Sequence, residues 1–182
     1  MAPDGHSIRQ AGELALPGVA IGAVGGAMAG GLTLLSGQPA GWAAVAALTL
    51  ALPLALLGGL YSSLMGLPGP FRPGLFAPAG LFWLIGFPLA RLTQQVSTGL
   101  ILDGRVLLAG GVAGFLAYQA LVSLGFAIGF VWLHERLMPH WLVQLAPRNA
   151  VARTVLQRYI EHAEALSRGR RAHGKGQTKG VR

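Results

Sequence analysis

Hydrophobic and polar positions along this chain segregate in blocks the length of whole helices. From Leu14 to Phe71, 58 consecutive residues include no Asp, Glu, Lys, Arg or His. A membrane-crossing helix needs about 20 mostly apolar residues, so this stretch holds two spans and a connection. The turn-forming Ser36-Gly37-Gln38-Pro39 divides it into spans of about 14–35 and 42–65, the second opened by Trp42 at the position of an interfacial anchor. Residues 66–74 carry Pro68, Pro70 and Pro73 and read as a loop. A third apolar run, 75–90, contains Pro78 and Pro88. As a helix it is only about 22 Å long against a roughly 30 Å hydrocarbon core, so it reads as a thin crossing, a re-entrant helix or an interfacial one. Residues 91–105, with Arg91, Gln94, Gln95 and Asp103, read as a polar connection. Residues 106–133 form the fourth span, followed by His134-Glu135-Arg136 and an interfacial step around Pro139-His140-Trp141. The pattern predicts an all-α integral membrane helical bundle of four transmembrane helices over residues 1–147.

Beyond 147 the pattern changes. Residues 150–167 place Val151, Val155, Tyr159, Ala163 and Leu166 on one face and Arg153, Arg158, Glu161 and Glu164 on the other, predicting an amphipathic helix. Asn149 is placed to cap it, and Glu164–Arg168 is an i,i+4 pair. From about 169 the chain is too polar to fold alone and is expected to be disordered. Charge sharpens this division: of 14 Lys/Arg and 6 Asp/Glu, nine and two lie after position 136. Basic segments stay cytoplasmic, so both termini and the Arg72 loop are expected inside. Heavy use of Arg, Ala, Gly and Leu suggests a bacterial inner membrane protein.

The most regular motif is a spacing of four. Gly18, Gly22, Gly26 and Gly30 repeat in the first span, and Ala43, Ala47, Ala51, Ala55, Gly59 and Ser63 in the second. Residues four apart share a helix face, and small residues let membrane helices approach closely. These ten positions are the expected helix-packing seam, a glycine zipper closing an antiparallel hairpin.

Candidate chemistry is sparse. The expected spans contain no ionisable side chain, which argues against proton relays and ion-coupled transport. Ser62, Ser63 and Ser123 have no expected base to activate them. His134-Glu135 opens like a zinc-protease H-E-x-x-H, but Met138 stands where the second histidine belongs. With no cysteine, thiolate chemistry is excluded, and no catalytic, cofactor-binding or metal-ligating set is predicted. Tyr118, Gln119 and Ser123 form the most polar patch deep in a span and are weak ligand candidates. Arg148, Arg153, Arg158, Arg168, Arg170 and Arg171 are candidates for contact with anionic headgroups or a partner; no nucleic-acid module is recognisable. The leading expectation is a non-enzymatic accessory, assembly or scaffolding subunit, associating with other membrane subunits or with itself. A transport protein, with Pro78, Pro88 and the Tyr118 patch along its path, is second. A lipid-acting enzyme using His134, Glu135, Arg136 and His140 at the interface is third.

Overall fold

The computed structural model describes residues 5–108 and 110–177, with side chains from Arg9 to Gly169 apart from Ala109. All of its regular structure is helical: α1 (Gly5–Leu35), α2 (Ala40–Leu64), α3 (Phe76–Leu102), α4 (Gly111–Leu145) and α5 (Ala150–Gln177). The first four are long and apolar enough to cross a bilayer. The chain is thus an all-α protein built for multiple membrane crossings.

Three boundaries differ from those expected, each for a physical reason. The third helix is neither short nor re-entrant, because it runs 27 residues, from Phe76 to Leu102. That is about 40 Å, ample for a crossing. Pro78 falls in its first turn, where a missing N–H breaks nothing. Pro88 is interior, which packed membrane helices tolerate. The polar residues from Arg91 onward continue the helix instead of ending it. The fourth helix starts later and ends twelve residues beyond the expected 133, carrying His134, Glu135, Pro139 and His140 within it. The terminal helix continues past 168 to Gln177; the last part of the expected disordered end, 178–182, lies outside the described residues.

The four long helices run alternately up and down. One end of the bundle, the hairpin end, carries the 36–39 turn and residues 103–108. The opposite, terminal end carries the start of α1, the 65–75 loop, the end of α4 and α5. Around the bundle the order is α2, α1, α4, α3. Near the terminal end, Tyr61, Phe82, Trp83, Phe126 and Phe130 interlock in edge-to-face and tilted pairs, with centroids 4.4–6.0 Å apart. Near the hairpin end hydrogen bonds take over: Thr49 to Thr98 at 2.9 Å, and Gln94 Nε2 donating to the Ala46 carbonyl at 2.9 Å.

The α1–α2 seam is backbone against backbone. A Cβ at Gly18 would lie 1.9 Å from the Gly58 carbonyl oxygen, at Gly22 2.3 Å from that of Leu54, and at Gly26 2.4 Å from Ala51. At Gly30 it would lie 2.7 Å from the Ala47 Cβ. On α2 the atoms nearest Gly22, Gly26 and Gly30 belong to Ala43, Ala47, Ala51, Leu54 and Ala55, and Gly59 meets Val19 at the edge. The seam then moves to Gly58 and Ser62. Four residues turn a helix by about 400°, so an exact four-residue repeat drifts around the surface and leaves the contact line. Ser63 instead donates to the Gly59 carbonyl of its own helix (2.9 Å).

At the terminal end α1 and α4 project past α2 and α3, and α5 fills the notch. Leu14, Met138, Leu142, Leu145, Ala152 and Val155 make a small core there. Asn149 caps α5 as expected, its Oδ1 accepting from Ala152 N–H (3.0 Å). Its Nδ2 donates to the Gln10 carbonyl and the Glu13 carboxylate (3.0 and 3.1 Å). Pro17 has no N–H to offer the Glu13 carbonyl four residues back; Trp141 Nε1 donates to that carbonyl instead, at 2.8 Å. The Arg158 guanidinium reaches the carbonyls of Met65 and Leu67 (2.8 and 3.2 Å). The His162 ring packs on Gly74, whose positive φ of 76° shapes the loop it covers.

Candidate functional site

The feature with most chemical potential is a cleft in the hairpin half of the bundle. α1 and α4 meet near Leu14 and again where Phe126 approaches Gly25, and beyond that they splay. The space between holds about 390 Å³, within the usual size of small-molecule sites of about 300–1,000 Å³. Leu50, Leu54 and Phe87 of α2 and α3 form its back wall, and Met28, Leu32, Tyr118 and Val122 its exposed rim.

Arg91 and Gln119 supply its polarity together with Tyr118. Arg91 lies eleven residues before the end of α3, about 16 Å along the helix axis, and is half-buried. A guanidinium has five N–H donors. One of them is directed at Gln94 Oε1, and no carboxylate among the described residues pairs with it. The chain-wide expectation that the spans lack ionisable groups is therefore corrected by Arg91. Its charge is isolated in α3 and turned toward a cavity.

Of the weak ligand candidates, the fold brings Tyr118 and Gln119 to this cleft. Ser123 does not reach it: it is buried and donates to the Ala120 carbonyl of its own helix (2.6 Å). Arg91 lies one residue beyond the expected third run, 75–90, at the start of what reads as a polar connection. The signal that could have placed it is the amino-acid spacing itself: Arg91, Gln94, Gln95 and Thr98 recur at helical intervals, as one polar stripe would.

A second site appears where the sequence offered only a hydroxyl without a base. Ser62 Oγ and His134 Nε2 are 2.9 Å apart, and Gly18 N–H donates to the same Oγ at 3.2 Å. His134 was expected at the interface; the continuation of α4 turns it inward, stacked on Phe130 and edge-on to Tyr61. Both partners are fully buried. His134 Nδ1 has no partner among the described residues, so the third group that orients the base in nucleophilic triads is missing. The arrangement ties three helices together and gives a substrate no approach. Glu135 and His140 stand apart: Glu135 accepts from Gly74 N–H (3.4 Å), and the His140 ring meets the Arg136 carbonyl (2.9 Å). No group of metal-ligating side chains occurs among the described residues.

The basic candidates divide. Arg158 is committed to the 65–75 loop and Arg153 Nε to the Ala146 carbonyl (3.4 Å). Arg148 lines a small polar recess with Arg9 and Glu13. Arg168 is exposed, 4.0 Å from Glu164. The side chains of Arg170 and Arg171 lie outside the described residues. Tyr159, on the docked face of α5, has a perturbed acidity. Burial first, and then the negative charge of Glu135, push its phenol well above the ordinary value of 10.0. No family model, curated protein or solved structure matches the chain.

Proposed function

We propose that this protein is a non-enzymatic subunit of a membrane assembly, an accessory or scaffolding component of the bacterial inner membrane with both termini cytoplasmic. The observation that carries the reading is α5. Its first three turns are fastened to the bundle by Asn149, Val155, Arg158 and Tyr159, while residues 163–166 are exposed and the helix continues to Gln177. A helix held firmly at one end and exposed over 163–166, with Leu166 open between charged neighbours, suits docking to a partner. The clustering of Lys/Arg after 136 favours the cytoplasmic side for that end, and Arg148 and Arg168 are available to anionic headgroups.

Native mass spectrometry of the complex extracted from membranes tests this. The expected result is a second subunit in fixed stoichiometry, lost when the chain is ended after Ala163. A monomer alone, in gentle extraction, would overturn it. The Arg91 cleft favours a second reading, a transport component with a path along Tyr118 and Gln119; a pure homo-oligomer would point there.

A further inference from the structure

We propose that the α1–α4 cleft is a binding site for an anionic phospholipid of the leaflet at the hairpin end, with Arg91 as the counter-charge of its phosphate. The inference is independent of the subunit reading above, because it concerns what fills the bundle and not what binds its tail.

Three observations converge on that occupant. The first is charge. Arg91 stands in a span with no carboxylate partner among the described residues, and most of its donors are left for a ligand. An arginine inside a membrane is costly unless something answers its charge, and a phosphate matches the guanidinium fork in shape and sign.

The second is shape. The cleft does not end at Phe126. A further apolar groove of about 240 Å³ continues down the same α1–α4 seam, past Gly25, Gly129 and Leu133. It shares Met28, Gly25 and Phe126 with the Arg91 cleft. A Cβ at Gly129 would meet nothing within 4 Å, so this stretch of α4 leaves the groove open. The sequence of one charged end followed by an apolar channel is the outline of a headgroup followed by an acyl chain. A soluble anion would leave the channel empty.

The third is direction. The charged end faces the hairpin end of the bundle, and the apolar groove leads from it toward the bundle's middle. A lipid in the hairpin-end leaflet has the same polarity, with its headgroup outward and its chains inward. Tyr118 and Gln119 stand with Arg91 in the lining of the cleft, so a headgroup meets polar side chains as it enters. The exposed rim residues Met28 and Leu32 open the cleft sideways, which is the side from which a bilayer lipid comes.

The test is native mass spectrometry of the full chain, delipidated in detergent and titrated with phosphatidylglycerol, with diacylglycerol of the same chains in parallel. An Arg168→Gln/Arg170→Gln/Arg171→Gln background separates lipid held by the basic tail. One phosphatidylglycerol should remain bound in both the native chain and that background, with diacylglycerol held far more weakly. Arg91→Gln should weaken it by about tenfold or more, the scale of a lost charge-assisted contact, and Arg91→Lys should restore most of the affinity. Gly129→Trp, which fills the groove and leaves Arg91 in place, should weaken it comparably. Inorganic phosphate at millimolar concentration should not displace it. Unchanged binding in Arg91→Gln overturns the proposal. Should that variant fail to fold, unchanged binding in Gly129→Trp overturns it equally, and displacement by inorganic phosphate would make the site one for soluble anions.

Discussion

At the scale of single residues, contact geometry separates positions that look alike in the sequence. Gly26 and Gly31 both sit in α1, yet a Cβ at Gly26 would lie 2.4 Å from Ala51 while Gly31 faces open space. Gly26→Leu should therefore lower folded yield sharply, since overpacking a fixed backbone contact costs about 1–3 kcal/mol or more. Gly31→Leu should leave thermal stability in detergent within the error of measurement. Ser62 and Ser63 make a second such pair. Ser62→Ala leaves the Gly18 N–H and His134 Nε2 without their shared partner, for a loss of about 1–3 kcal/mol. Ser63→Ala removes only a bond to its own helix and should be nearly silent. Equal melting temperatures for the two serine variants would show that the Ser62 knot does not hold the helices. The sequence pointed to Ser63 because a rigid four-residue count cannot follow a helix of 3.6 residues per turn along a long seam. The four glycines of α1 were legible, because a run without any side chain has only one sensible use between helices.

At the scale of elements, α5 shows how a helix of low intrinsic hydrophobicity is fastened. Its cap was readable from Asn149 and its amphipathic face from the spacing of Val151, Val155 and Tyr159. What covers that face was not, since the surface it meets joins α4 to α1 and the 65–75 loop, which are distant in sequence. Asn149→Ala and Arg158→Ala should each free α5, raising its hydrogen exchange and exposing it to protease while α1–α4 remain intact; unchanged protection in both would show that the docked pose is held by other contacts. Tyr159 adds a pH dependence. The docked phenol resists ionisation, for burial and the charge of Glu135 raise its pKa above the ordinary 10.0. Docking is thus at full strength below about pH 10 and weakens above it, as the released tyrosine ionises and the docked one does not. Protease sensitivity of α5 should rise between pH 9 and 11, and Tyr159→Phe should lessen that rise. An identical pH profile in the variant would place the effect elsewhere. Helix α3 teaches the converse lesson. Its length was obscured because Pro88 and a polar stripe resemble a helix end, although a proline is tolerated in a packed membrane helix and the stripe faces the interior of a bundle.

At the scale of the whole molecule, four crossings place residues 36–39 and 103–108 on one side and residues 65–75, α5 and the start of α1 on the other. The native chain has no cysteine, so single cysteines introduced at Gln38, Arg105, Leu67 and Ser167 report topology without background. The first two should react with an impermeant reagent from one side and the last two from the other. Labelling of Gln38 and Leu67 from the same side would break the four-crossing arrangement. Three of the four long apolar helices could be read from the apolar blocks alone, whereas the third run left a crossing, a re-entrant helix and an interfacial helix all open. The Arg91 cleft could not, because it exists only where four helices fail to close on one another.

The Asn149 tie has a consequence in time. The amide that secures Gln10 and Glu13 of the first helix belongs to a residue made 85 positions after the end of α2. At common synthesis rates of about 5–20 residues per second, the first hairpin waits on the order of ten seconds for its fastening. At the start of that interval, before α3 is made, α1 and α2 have only each other. A seam whose every contact joins neighbouring helices, with glycine backbone laid directly on the partner, is the kind that closes without waiting, and the newborn chain's survival rests on it.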